Sequence, residues 1–180
     1  MRAAALTPLW SLTLAILGCR AQAQSVPEVT QTGAFASARV TESSGVAVSR
    51  QHKGILWTIN DSGDGPFLYA TALEGRDLGA VRLRGASAED WEDIALGPCP
   101  SRSGTCLYVA DTGDNLERRL SVTVYAVEEP APPGGPSDTT RAVAAQRLEV
   151  IYPDGPHDVE AIYVGPGDGA LYLVSKGRTG

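Results

Sequence analysis

The feature that most constrains this chain is a repeat of short apolar runs in groups of four. In the first group SSGVAVS (residues 43–49) is followed by GILWTINDSGD (54–64), PFLYATALEG (66–75) and LGAVRLRG (78–85). In the second, WEDIALG (91–97) is followed by TCLYVADTGDN (105–115), LSVTVYAVEE (120–129) and AAQRLEVIY (144–152). A third group starts with DVEAIYVG (158–165) and ALYLVSKGRTG (170–180). The second run of each complete group ends in the same signature, Asp61-Ser62-Gly63-Asp64 and Asp111-Thr112-Gly113-Asp114. The runs are rich in Val, Ile, Leu and Tyr and bounded by Gly, Pro, Asp and Ser, and none after residue 23 keeps a helical period. The expected class is all-β.

A four-stranded meander buries its two faces only against its neighbours, so tandem meanders of this length read as blades of a β-propeller. The blades fall at about residues 42–85, 90–152 and 157–180, the last incomplete, which makes about two and a half blades of a longer ring. Residues 24–41 form an N-terminal segment in which residues 35–40 are a candidate ring-closing strand. An open β-sandwich is the competing architecture. The segment EEPAPPGGPSDTT (128–140) reads as a mobile outer loop, because proline and glycine interrupt any ladder there.

Residues 1–23 combine one early cation, Arg2, an apolar run over residues 9–18 and the small-x-small triplet Ala21-Gln22-Ala23, the pattern of an export signal. Ile16-Leu17-Gly18-Cys19 also resembles a lipobox, which leaves a lipid anchor at Cys19 as the alternative to a secreted or periplasmic chain. No later stretch approaches the roughly 20 apolar residues of a membrane helix. In an oxidising compartment Cys99 and Cys106, separated by the turn-forming PSRSGT, are expected to pair.

Removing the leader takes Arg2 and Arg20 from 15 Lys and Arg, leaves 21 Asp and Glu, and gives a charge of about −8. Such a surface repels nucleic acid and anionic lipid and makes cations the first ligands to consider. If the innermost strands line a channel, Ser44-Gly45-Val46, Glu92-Asp93-Ile94 and Glu160-Ala161-Ile162 occupy equivalent places, so Asp90, Glu92, Asp93, Asp158 and Glu160 converge on one axis. A second group, Asn60, Asp61 and Asp64 with Asp111, Asp114 and Asn115, lies on the turns that follow.

Two readings of these turns stand side by side. Asp-x-Gly-Asp makes hairpin turns by capping its own backbone; clustered carboxylates also supply the oxygens that Ca2+ prefers. The strand pattern and the acids are out of phase by one residue, and a one-residue slip reverses the face of a side chain. Trp91 reads as a packing anchor, His157 as a turn residue or a proton-transfer group, and Lys176 and Arg178 as cations for an anionic ligand. No Gly-x-Ser-x-Gly elbow, His-Glu-x-x-His, Walker or dinucleotide loop occurs, so serine-hydrolase, zinc-protease and nucleotide chemistry lack sequence support.

SSGVAVSRQHKGILWTINDSGD, DWEDIALGP with LYVADTGDN, and HDVEAIYVGPGDGALYLVSKG together resemble the secreted bacterial phytase-like ("esterase-like activity of phytase") β-propellers over most of residues 41–180. The resemblance implies a six-bladed ring, an extracytoplasmic location and calcium-dependent phosphoester or ester hydrolysis. It would place Glu92, Asp93 and Glu160 at inner-strand acidic positions, with Asp61, Asp64, Asp111 and Asp114 holding metal. The alternative is a non-catalytic ligand-binding or scaffolding propeller.

Overall fold

The computed structural model describes residues 28–138 and 141–177, and the expected signal at residues 1–23, Cys19 and Arg178 lie outside them. From Thr32 onward the chain is one compact unit built from strands, with no helix among the described residues. The first sheet runs in sequence order through β1 (Ser43–Val48), β2 (Ile55–Asn60), β3 (Phe67–Ala72) and β4 (Asp77–Arg84), all antiparallel. The second contains β5 (Trp91–Pro98), β6 (Thr105–Asp111), β7 (Val122–Glu128) and β9 (Gln146–Val150). The third pairs β10 (Val159–Val164) with β11 (Leu171–Ser175). Each of these ten strands coincides with an apolar run of the sequence, β4 and β5 overrunning theirs by one residue.

The sheets pack face to face. Period-two alternation gives each strand two faces, and in β6 and β7 both are buried. Ala47, Trp57, Ile59, Val81 and Leu83 of the first sheet bury against Trp91, Ile94, Leu107, Val109 and Val127 of the second. The opposite face of the second sheet, with Ala95, Tyr108, Ala110 and Val124, packs on Ile162, Val164, Leu171 and Leu173 of the third. Trp91 anchors the first interface as expected: its ring is buried against Tyr125, and its Nε1 donates to Ser87 O. The outer faces of the stack remain open, with Val46 and Val48 exposed at one end and Tyr163, Tyr172 and Val174 at the other.

One strand departs from the expected meander. The Pro/Gly-rich segment is not a free loop: it leads into β8 (Ala142–Ala144), which pairs in parallel with β4 and becomes a fifth strand of the first sheet. Arg82 N donates to Arg141 O and Ala145 N to Arg84 O. Gly79 has a φ of 98°, and a Cβ there would overlap the carbonyl oxygen of Gly135, so the strap needs glycine at that point of β4. Proline and glycine counts indicated the interruption of β7 and β9 but not the return to the neighbouring sheet. Residues 35–40 form no strand in this chain; Ala36 N donates to Gly75 O at the β3–β4 turn.

Cys99 and Cys106 form the expected disulfide across the β5–β6 turn, and Gly104 there has a φ of 117°. The bond fits an oxidising, extracytoplasmic compartment. Among the described residues no helix is long and apolar enough to cross a membrane.

Candidate functional site

The first strands of the three sheets lie side by side, β1 next to β5 and β5 next to β10. At the same place in each, the pairing with the second strand slips: between Ser43 and Gly45, between Trp91 and Asp93, and between Val159 and Ala161. The residues skipped by the ladder are Ser44, Glu92 and Glu160. A bulge of this kind re-aims the extra side chain, and three in register send one hydroxyl and two carboxylates to the same end of the stack. Backbone bonds repeat alongside them: Asp61 N donates to Glu42 O, Thr112 N to Asp90 O and Lys176 N to Asp158 O.

Five carboxylates gather there. Oxygens of Asp61, Asp90 and Glu92 lie within 4.8 Å of one another, and so do oxygens of Glu92, Asp158 and Glu160. Glu92 belongs to both trios, is 8% exposed, and its carboxylate has no hydrogen-bond donor or ion-pair partner among the described residues. Burial, then the charges of Glu160, Asp61, Asp90 and Asp158, push its pKa up from 4.5 to about 7. Asp90 is also raised, first by burial and then by Asp61, while Arg119 opposes the shift. Gly113 makes the room: a Cβ at that position would overlap Glu92 Oε1 and Asp90 Oδ2.

Other acids singled out in the sequence are engaged elsewhere. Asp111 is buried, pairs with Arg119 Nη2 at 3.0 Å, and accepts the N–H groups of Glu89 and Asp90. Asp114 accepts from Arg118 N and Arg119 N, and its own N–H donates to Asp158 Oδ1. Asp64 accepts from Asn60 Nδ2, Tyr69 Oη and Gly65 N. Asp93 joins two sheets by accepting from Ile94 N and Ile162 N; burial raises its pKa and these bonds oppose the rise.

The basic candidates separate as well. His157 bonds Asp154 at 2.9 Å and packs edge-on to Tyr152, and that bond holds the Asp154 carboxyl below its usual range. Lys176 reaches into the second trio, 2.7 Å from Glu160 Oε1 and 3.7 Å from Asp158 Oδ2.

The structure thus brings together Asp61, Glu92, Glu160 and Lys176 with Asp90 and Asp158, and leaves Asp64, Asp93, Asp111, Asp114 and His157 in turn and inter-sheet contacts. The donor set is entirely carboxylate oxygen, which suits a hard cation rather than zinc or copper. Like charges held this close favour either a proton or a bound cation on Glu92. Comparison with protein-family models, curated proteins and solved structures gave no match.

Proposed function

We propose that the chain forms consecutive blades of an exported β-propeller whose acidic face binds a divalent cation, Ca2+, and through it an anionic or phosphorylated small molecule. The supports for the ring are the face-to-face meanders, the adjacent first strands and the uncovered apolar side chains at both ends of the stack. The observation that carries the cation reading is Glu92, a buried carboxylate without a donor that belongs to two carboxylate trios. Asp61, Asp90 and Glu92 would hold the ion. Bound there, it would neutralise the face and polarise an anionic ligand.

Hydrolysis of that ligand is the enzymatic form of this reading and simple retention is the other. The second is favoured by His157, whose imidazole is bonded to Asp154 and not to the clustered acids. Calcium-dependent turnover of a generic phosphoester, lost in Glu92→Gln and Glu160→Gln, would make the protein a hydrolase; binding without turnover would make it a carrier.

The cation itself is tested by thermal unfolding in EDTA and in millimolar Ca2+. A cation present at about 100 times its Kd stabilises the folded state by about 2.7 kcal/mol, a rise in Tm of about 5–10 °C for a domain of this size. The rise should vanish in Asp61→Asn and Glu92→Gln. An unchanged melt in the wild type would leave the Asp-Gly turns as turn chemistry alone.

A further inference from the structure

We infer that Lys176 is the resident cation of the second carboxylate trio, so that the acidic face takes one divalent ion, at Asp61, Asp90 and Glu92, beside a tethered ammonium. This inference rests on the cation-binding reading above and specifies its stoichiometry and the charge next to the ion.

Asp61, Thr112 and Lys176 are structural equivalents, each donating its backbone N–H to the residue two before the bulge: Glu42, Asp90 and Asp158. The chain fills the three equivalent places with a carboxylate, a hydroxyl and an ammonium. Asp61 extends the first trio toward Asp90 and Glu92 of the next sheet. Thr112 is buried, with its Oγ1 donating to Val159 O, and adds no charge. Lys176 turns onto its own sheet, where its Nζ lies 2.7 Å from Glu160 and 3.7 Å from Asp158.

The two trios share Glu92 and differ in counter-charge. Among the described residues Asp61, Asp90 and Glu92 make no ion pair, whereas Asp158 and Glu160 both face Lys176. A divalent ion entering the second trio would have to expel the ammonium, and one entering the first displaces no cation. The buried, donor-free carboxylate of Glu92 is common to both trios, and Lys176 pairs with the other two acids of the second trio alone. The result is a cation and an ammonium side by side, two positive groups across which a phosphate or carboxylate can lie.

The test is the number of Ca2+ ions bound per chain, read by calorimetric titration of the full chain with Ca2+ alone. Wild type and Lys176→Arg should bind one. Lys176→Met keeps the length of the stem and removes the charge, so it should bind two, with Lys176→Gln as a second neutral variant. The Lys176 side chain is 58% exposed, so the metal-free variants should melt close to the wild type. One ion in wild type and one in both neutral variants overturns the role of Lys176 and leaves the first site standing. Two ions in wild type overturn it as well. No ion in wild type overturns both this inference and the cation reading beneath it.

Discussion

At the end of β2, Asn60 accepts the N–H groups of Thr41 and Glu42; at the end of β6, Asp111 accepts those of Glu89 and Asp90. The ladder aligns Asn60 with Asp111, both opposite the residue before the bulge, and therefore Asp61 with Thr112. The letters align differently, matching Asp61-Ser62-Gly63-Asp64 to Asp111-Thr112-Gly113-Asp114. The two turns are thus one residue out of phase. In the first the leading acid of the motif is half-buried, accepts among the described residues only the N–H of the next residue, Ser62, and lies beside Asp90 and Glu92 without an ion pair; in the second it is buried, capping the entry to β5 and pairing with Arg119. The difference teaches that register, not motif, decides which acid can meet a ligand.

The largest effect expected from this contrast comes from truncating the two leading acids in turn. Asp111→Ala leaves Arg119, 17% exposed, without its buried partner, and should cost about 3–5 kcal/mol. Asp61→Ala in chelator should cost less than about 1 kcal/mol, as at other partly exposed positions. Urea denaturation of both variants measures the gap, and equal losses would break the comparison.

A smaller effect separates the two ends of the stack. Replacing Cys99 and Cys106 together by Ser should lower stability by about 2.5 kcal/mol on the chain-entropy account of so short a loop. Because the disulfide closes the β5–β6 turn, at the opposite end of β5 from Glu92, the calcium-induced rise in Tm should persist in the double variant. Loss of that rise would show that the acidic face depends on the far turn.

The smallest effect is a pH dependence. Glu92 titrates near 7 in the fold against 4.5 as an ordinary glutamate, so the folded state holds the proton more tightly than the unfolded state. Between these values rising pH therefore weakens the fold, and the penalty is complete above about 7. Glu92→Gln removes it. In chelator the variant should melt about 2–5 °C above the wild type at about pH 8, with the difference shrinking as pH falls toward 4.5. A constant difference across this range would mean that the Glu92 charge is not what the fold resists.

Much of the fold was legible because alternation and turn residues are local: ten strands and the disulfide sit where the apolar runs and the Cys99–Cys106 spacing place them. The strap was not, because β8 is three residues long and owes its position to β4, to which it is distant in sequence. In the candidate site the equivalence of Ser44, Glu92 and Glu160 was readable from the strand pattern. Which turn acids join them was not, since that depends on three bulges that a sequence does not announce. Asp90 and Asp158 read as channel acids and emerge as members of the trios, while Gly113, whose missing Cβ admits the carboxylates, gave no signal beyond being a turn glycine.

The most direct measurement is tryptophan-sensitised terbium luminescence, with terbium standing in for calcium and Trp91 adjoining Glu92 in the chain. The account predicts sensitised emission that calcium competes away. That emission should be lost in Asp61→Asn, Asp90→Asn and Glu92→Gln and kept in Asp64→Asn and Asp114→Asn. Emission lost equally in Asp64→Asn and Asp114→Asn, or absent from the wild type, would contradict the claim that register selects the ligands.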